Sequence, residues 1–132
     1  MINMEKKRIL VVDDEESITE TIKLILERTG SYEVRTLSSV KEIIPCIHTF
    51  KPDVILIDLI MPGMGGLDGC EMLASDSKGE GIPIIVVSGL QKDEDKLKAY
   101  KLGIVDYLTK PIKSSAIIAS IERAIRDKTE ED

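Results

Sequence analysis

The stretch of sequence that most constrains the fold runs over residues 54–63 and reads VILIDLIMPG. Four consecutive aliphatic residues end at the carboxylate of Asp58, and residues 61–66 are rich in glycine and proline. A short apolar run without polar alternation is typical of a parallel strand that is buried on both faces. The glycines and the proline cannot continue such a strand. We therefore expect Asp58 to lie at the carboxyl edge of a parallel sheet, where open α/β folds bind their ligands.

Four further segments are predicted to be strands, and amphipathic stretches alternate with them. Residues 8–12 and 83–88 are almost continuously apolar, like residues 54–57, whereas residues 32–37 and 104–109 carry polar side chains along their length. Strands that are buried on both faces belong in the centre of a sheet, and strands with polar side chains belong at its edges. The chain is therefore predicted to be an α/β domain with a doubly wound, five-stranded parallel sheet and helices on both faces.

Helices are predicted between the strands, over about residues 17–29, 39–50, 67–74, 92–102 and 113–127. Pro45 should distort the first half of the second helix, because proline lacks an amide donor and crowds a carbonyl one turn earlier. The thin apolar stripe of the fourth helix is predicted to be Leu97 and Tyr100, with Ala99 beside them. The last helix is predicted to fray from Lys128 onward.

Composition limits the class of protein. The chain has 132 residues, enough for one domain, and 42% of them are hydrophobic. A net charge of -6, one Phe and no Trp argue against nucleic-acid binding by this domain. No apolar run is long enough to span a membrane, and the first residues lack the apolar core of a secretory signal. Cys46 and Cys70 form no metal-binding motif, so we expect buried thiols in a reducing cytoplasm.

Polar side chains that suit phosphoryl chemistry follow the predicted strands: Asp13, Asp14, Asp58, Ser88 and Lys110. Because the carboxyl ends of parallel strands meet at one edge of a sheet, these side chains could converge. Three carboxylates repel one another unless a cation lies among them, and an all-oxygen set of ligands favours Mg²⁺. With such a cation and Lys110, the pocket would tolerate a phosphoryl group. Ser88 offers that group a hydroxyl donor, and Asp58 offers a nucleophilic carboxylate.

Four short segments together resemble the receiver domain of the response regulators of two-component signalling: residues 11–15 (VVDDE), 57–64 (IDLIMPGM), 87–89 (VSG) and 107–111 (YLTKP). The resemblance extends over about residues 7–128, so residues 1–132 are interpreted as a single receiver domain. It implies a flavodoxin-like fold with the strand order 2-1-3-4-5, which the predicted edge strands fit.

The resemblance also implies a role for each matched residue of the pocket. Asp58 is the phospho-accepting aspartate, and Lys110 pairs with the phosphoryl group, ahead of what is often a cis peptide bond to proline. Asp14 is a direct ligand of Mg²⁺ and Asp13 holds the waters of the metal. The backbone carbonyl of Ile60 is a further ligand.

The matched switch residues are the hydroxyl of Ser88 and the aromatic ring of Tyr107. In the family, a histidine kinase or a phosphotransfer protein donates the phosphoryl group, and small acyl phosphates can substitute. The receiver catalyses the transfer to itself and, slowly, its own dephosphorylation, so it is a signalling domain rather than a conventional enzyme. Its altered surface then controls an output domain or a partner protein. The resemblance thus implies a cytoplasmic signalling domain with Mg²⁺ as its cofactor.

Two positions near the pocket depart from the common pattern. Ile60 stands two residues after the acceptor and Leu90 two residues after the switch hydroxyl, where polar side chains often position the hydrolytic water. Because both are apolar, we expect a long-lived phosphoryl state.

Two other positions argue against a particular dimer interface and against a chemical role for the single histidine. Val105 replaces the acid that is usual in the subfamily that dimerises through its fourth helix and fifth strand, so that dimer is not expected. His48, the only histidine, has no acidic or cysteine partner at ligand spacing and is predicted to be a solvated helix position.

Three alternative functions stay open at the level of the sequence. A flavodoxin-like cofactor carrier would need a phosphate cradle rich in Ser, Thr and Gly after the first strand, but residues 13–16 are all acidic. A small phosphatase with an aspartyl nucleophile usually has a second acid where Ile60 stands. A degenerate receiver would act only as a docking module, although the complete set of pocket residues counts against it.

Overall fold

The computed structural model describes residues 5–89 and 92–131, in which five parallel strands alternate with five α-helices. The strands are β1 (Lys7–Val12), β2 (Tyr32–Leu37), β3 (Val54–Ile57), β4 (Ile84–Ser88) and β5 (Asp106–Thr109). The helices are α1 (Glu16–Arg28), α2 (Ile43–Phe50), α3 (Gly66–Ala74), α4 (Asp93–Lys101) and α5 (Ser114–Glu131). The order across the sheet is β2-β1-β3-β4-β5, and all neighbouring strands are parallel. The predicted fold class, strand order and edge strands are thus confirmed.

The core forms two layers because successive strand residues point to opposite faces of the sheet. Leu10 and Val12 of β1 pack in the layer covered by α2, α3 and α4, whereas Ile9 and Val11 pack in the layer covered by α1 and α5. Burial on both faces explains why the central strands are continuously apolar.

Both cysteines are buried free thiols, as predicted. Burial, followed by the nearby charge of Glu71, raises the pKa of the Cys70 thiol to about 12. A thiol with so high a pKa forms almost no thiolate at neutral pH, so Cys70 contributes packing rather than reactivity.

The predicted second helix is divided into a 3₁₀ turn and α2, whereas a single helix with a distorted first half was expected at Pro45. A short 3₁₀ turn (Val40–Glu42) precedes α2, and the hydroxyl of Ser39 accepts a hydrogen bond from the amide of Lys41 at the start of that turn. Pro45 is the third residue of α2, where an amide has no acceptor within the helix. Because α2 begins only two residues before Pro45, the amide hydrogen that proline lacks would have no acceptor within α2, and its absence costs little.

The predicted apolar stripe of α4 was wrong in two of its three residues. Leu97 and Tyr100 are 56% and 48% exposed, whereas Ala99 is completely buried. Ala99 and the partly buried Leu102 pack against the core from α4 and the turn after it. Helical spacing then directs the larger side chains of Leu97 and Tyr100 outward.

Two element boundaries also differ from the prediction. β5 begins at Asp106, the first residue that pairs with β4, rather than at residue 104. Ile104 precedes the strand and is buried. α5 continues through Glu131 instead of fraying from Lys128. The hydroxyl of Thr129 donates a hydrogen bond to the carbonyl of Ile125, within this last part of the helix.

His48 lies exposed on α2, as predicted, and has an acidic partner that is distant in the sequence. Its Nε2 atom lies 3.1 Å from both carboxylate oxygens of Asp76, which is 28 residues away in the sequence. The same carboxylate accepts hydrogen bonds from the amides of Lys78 and Gly79. Asp76 therefore closes the turn after α3 and ties that turn to α2.

These contacts predict an acid-dependent loss of stability. The hydrogen bond with His48, aided by the amides of Lys78 and Gly79, holds the pKa of Asp76 below its usual value. A carboxyl group whose pKa is lower in the folded state stabilises the fold above its unfolded pKa, and this stabilisation is lost as the pH falls through the folded pKa. Below about pH 4, the thermal midpoint of the parent should therefore fall more steeply than that of Asp76→Asn. Melting curves that respond equally to acid would contradict this role.

Candidate functional site

The predicted site residues lie at the carboxyl edge of the sheet because each of them ends or follows a strand. Hydrogen bonds of the sheet continue beyond the strand ends and fix the backbone there. The amide of Asp13 donates to Leu37 (3.1 Å), that of Asp58 donates to Val12 (3.0 Å), and that of Lys110 donates to Ser88 (2.9 Å). The first residues of three loops are thereby held in register with their neighbours. The peptide bond from Lys110 to Pro111 is cis, as the family resemblance implies.

Lys110 joins two of the acids. Its Nζ atom lies 2.8 Å from Oδ2 of Asp13 and 3.0 Å from Oδ2 of Asp58. The Asp13 and Asp58 side chains are only 4% and 7% exposed, and that of Lys110 is 17% exposed. Burial alone would lower the pKa of Lys110, but its hydrogen bonds and charge interactions with Asp13 and Asp58 raise that pKa above its usual value. Lys110 is therefore an ammonium donor throughout the physiological range.

Asp13, Asp14 and Asp58 form an acidic cluster that could hold a metal ion. Each offers a carboxylate oxygen, and these oxygens all lie within 4.8 Å of one another. Asp14 is exposed and the other two acids are buried, so the cluster faces solvent on the side of Asp14. A single ammonium cannot balance three carboxylates, and oxygen ligands with room for water are the set that Mg²⁺ prefers. The residues present thus fit a divalent cation.

The carboxylate of Asp58 is held at both of its oxygens. The amide of Ile60 donates to Oδ1 (3.1 Å), while Lys110 donates to Oδ2. The side chain of Ile60 is itself 56% exposed, which leaves an apolar group at the mouth of the site. Asp58 is therefore oriented by its own loop and by the residue that follows β5.

Sequence reasoning missed two residues that support the site. Glu15 lies 3.8 Å from the ammonium of Lys110, at the exposed rim. Gly66 begins α3 against the main chain of Asp58, and a Cβ atom there would overlap the Asp58 carbonyl group. The Gly-Gly pair at residues 65–66 is a sequence signal for such a close approach of two backbones.

The contact of Gly66 predicts that Gly66→Ala destabilises the domain. The added methyl group would meet backbone atoms of Asp58 and Leu59, which cannot turn aside as a side chain can. Overpacking of this kind costs about 1–3 kcal/mol. Gly89→Ala is a matched control, because nothing lies within 4 Å of a Cβ atom at Gly89. Urea denaturation of both variants measures the difference, and equal midpoints would contradict the close approach.

The two predicted switch residues lie on the same face of the sheet. Ser88 is completely buried and Tyr107 is partly buried against the core layer under α2, α3 and α4. Burial raises the pKa of Tyr107, and a hydrogen bond with the hydroxyl of Ser88 opposes that rise.

Leu90, which together with Ile60 is expected to prolong the phosphoryl state, lies outside the described residues. None of the helices within residues 5–89 and 92–131 combines the length and the hydropathy that crossing a bilayer requires.

Comparison with known proteins gives a consistent set of relatives. A family model described as the response regulator receiver domain matches residues 9–122. The transcriptional regulatory protein YvrH of Bacillus subtilis (strain 168) is 34% identical over 123 residues, which cover 93% of this chain and 51% of YvrH. The DNA-binding response regulator MtrA of Mycobacterium tuberculosis (strain ATCC 25618 / H37Rv) is 30% identical over 126 residues, which cover 96% of this chain and 54% of MtrA. The chain thus spans about half the length of these curated relatives.

A solved structure agrees with these relatives. The CheY-like response regulator receiver domain protein from Methanospirillum hungatei JF-1 superposes with a TM-score of 0.90 at 27% identity, over 97% of this chain and 100% of that chain. The match to the family model extends over most of the sequence, from β1 into α5. The chain therefore belongs to the response regulator receiver domains, the phospho-accepting signalling domains of two-component systems.

Proposed function

We propose that Asp58 is the residue that accepts the phosphoryl group, and that a histidine kinase or a phosphotransfer protein donates it. The observation that carries this proposal is the bridge from Lys110 to Asp13 and Asp58, at 2.8 and 3.0 Å. This bridge places a cation beside the buried carboxylate of Asp58. Asp14 completes an acidic cluster suited to a divalent cation.

The proposed transfer is a displacement at phosphorus. An oxygen of Asp58 forms the new bond to phosphorus while the bond to the donor's nitrogen or acyl oxygen breaks, and the donor leaves with the electron pair. The amide of Ile60 keeps the carboxylate oriented during the attack. Lys110 retains its proton and turns its ammonium from the carboxylates to the phosphoryl oxygens.

Asp13, Asp14, Asp58 and the backbone carbonyl of Ile60 would hold the proposed Mg²⁺. When bound, the metal neutralises charge on the phosphoryl oxygens and on the carboxylates. This requirement explains why the pocket carries more acid than Lys110 alone can balance.

Incubation with Mg²⁺ and a small acyl phosphate tests the proposal. Intact-mass spectrometry should show one added phosphoryl group on the parent and none on Asp58→Asn. Asp127→Asn, which removes an exposed acid of α5, is the control and should react like the parent. An unmodified parent would instead support the degenerate receiver that acts only as a docking module.

The exposed side chain of Ile60 predicts a slow loss of the phosphoryl group. An attacking water must approach the acyl phosphate in line, and Ile60 offers it no hydrogen-bonding group. Ile60→Asn should therefore shorten the lifetime severalfold, whereas the apolar control Ile60→Leu should leave it unchanged. The decay of the phosphorylated species after removal of the donor measures this effect. Equal decay in all three proteins would show that water access is controlled elsewhere.

We further propose that residues 1–132 act as one receiver domain in the cytoplasm and control an output domain or partner protein. YvrH is named as a transcriptional regulatory protein and MtrA as a DNA-binding response regulator, which supports an output function at DNA. With its net charge of -6, this domain would contribute regulation rather than direct contact with nucleic acid.

A further inference from the structure

A cavity of about 510 Å³ lies where the chain enters β3 and β4, at the edge of the sheet opposite to Asp58. Its lining comes from the end of α2, the residues that lead into β3, and the turn between α3 and β4: Ile47, His48, Lys51, Pro52, Lys78 and Ile82. Sites for small molecules in proteins have volumes of about 300–1,000 Å³. The cavity is therefore large enough for a small organic ligand.

The lining combines an apolar part with two lysines. Ile47 and Pro52 are buried, and the partly buried Ile82 packs against the core. Lys51 and Lys78 are exposed, and none of the described residues that line the cavity is acidic. In a chain with a net charge of -6, such a local excess of positive charge favours an anion at this one place.

Neither lysine of the cavity has a partner of its own. Within residues 5–89 and 92–131, no ion pair or side-chain hydrogen bond involves the ammonium group of Lys51 or of Lys78. Asp76, the acid of the same turn, is instead bound by the ring of His48 and by two backbone amides. Both ammonium groups are thus available to a ligand.

The end of α2 is also prepared for a nearby negative charge. Unpaired carbonyl groups at the end of a helix repel anions. The carbonyl of Ile47 accepts a hydrogen bond from the amide of Lys51 (3.1 Å), and that of Phe50 accepts one from the guanidinium of Arg8 (3.0 Å). These two hydrogen bonds reduce the repulsion that an anion in the cavity would meet.

The backbone of Lys51 supplies an independent reason to expect a ligand. Lys51 ends α2 with a φ of 53°, and it is the only residue other than glycine with a positive φ in the described part of the chain. Gly30 and Gly103 occupy the equivalent positions after α1 and α4. Glycine adopts this conformation without strain, and residues that adopt it at a cost are concentrated at ligand sites.

We propose that this cavity binds a small organic anion, whose acidic group pairs with Lys51 and Lys78 while its apolar body packs against the buried part of the lining. A carboxylate, sulfonate or phosphate on an aromatic or aliphatic body has this chemistry. Such a ligand would link α2 to the turn after α3. The site is separate from the Asp58 pocket, so the inference goes beyond the proposed function and does not depend on it.

Titration with anilinonaphthalene sulfonate, followed by its fluorescence, tests the inference. Phenylnaphthylamine has the same aromatic body without the sulfonate, and the parent should bind it less tightly. Lys51→Met and Lys78→Met should each weaken binding of the sulfonate about 5-fold, the effect of one charge pair near water. Lys41→Met removes an exposed lysine from the 3₁₀ turn before α2 and should bind like the parent.

Two further measurements separate loss of the site from loss of the fold. Lys51→Gly should bind as weakly as Lys51→Met and yet unfold at a higher urea concentration than the parent, because glycine relieves the backbone strain. In the parent, the sulfonate should shift the amide resonances of residues 47–52 and 78–82, and Asp58→Asn should bind it equally well.

The inference is overturned if Lys51→Met and Lys78→Met bind the sulfonate as tightly as Lys41→Met does. It is also overturned if the parent binds the neutral amine as tightly as the sulfonate, or if the shifted resonances belong to another part of the chain. A parent that binds the sulfonate as predicted but accepts no phosphoryl group would contradict the proposed function alone.

Discussion

Replacing Asp14 by alanine should greatly weaken Mg²⁺ binding and yet make the metal-free domain more stable. The two effects have one cause, the proximity of three carboxylates whose oxygens lie within 4.8 Å of one another. Lys110 pairs with Asp13 and Asp58, so the exposed Asp14 is left to repel them. At this distance two carboxylates near water repel each other by about 1 kcal/mol. Removing one of them should raise the thermal midpoint by roughly 3 °C.

The free energy of Mg²⁺ binding that Asp14→Ala loses should be larger than the free energy of unfolding that it gains. Outer-shell partners of metal ligands typically contribute about 10- to 100-fold in affinity, so a direct carboxylate ligand should contribute at least as much. Calorimetric titration with Mg²⁺ measures the first effect and a melting curve without metal measures the second. Asp93→Ala, which removes an acid from the exposed first turn of α4, controls for net charge. An Asp14→Ala variant with the parent affinity would show that the ligand set is wrong.

Replacing Lys110 by methionine should lower the stability of the metal-free domain, the opposite of the effect expected for Asp14→Ala. The substitution leaves Asp13 and Asp58 buried without the cation that lies 2.8 and 3.0 Å away. Removing one partner of a buried ion pair costs about 3–5 kcal/mol. Because Lys110 lies at a mouth open to solvent, we expect a loss nearer to about 2 kcal/mol after screening.

Mg²⁺ should restore part of the stability that Lys110→Met loses, since a metal ion among the carboxylates replaces the missing charge. The variant should therefore gain more from added Mg²⁺ than the parent does, when both are unfolded in urea. Lys113→Met, which removes a lysine of the following exposed loop, is the control and should respond like the parent. A Lys110→Met variant as stable as the parent without metal would mean that Lys110 does not balance the acids.

The sheet was predictable from sequence because its strands obey one simple rule. Runs buried on both faces are continuously apolar, and the edge strands are not, so both strand identity and edge position could be inferred. The face of α4 was not predictable in the same way. Its only completely buried side chain is Ala99, while the larger Leu97 and Tyr100 point outward. On a helix with so few apolar residues, size and hydropathy do not identify the inner face.

The site was predictable to the extent that it depends on strand ends. Asp13, Asp58, Ser88 and Lys110 each end or follow a strand, and the topology then brings their loops to one edge. The supporting contacts depend on tertiary distances that no local pattern contains. His48 meets Asp76 across 28 residues, and Lys96 meets Tyr107 between α4 and β5. Such pairs arise only when helix register and turn geometry are known.

The most direct test of the central claim is to locate the phosphoryl group on the chain. An acyl phosphate is reduced by borohydride, which converts the modified aspartate to homoserine and leaves free carboxylates unchanged. Peptide mass spectrometry after incubation with Mg²⁺ and an acyl phosphate then identifies the residue. We predict conversion at Asp58 alone, dependent on Mg²⁺ and absent from Asp58→Asn. Conversion at another carboxylate, or a stable phosphoryl group on His48, would contradict the assignment of Asp58 as the acceptor.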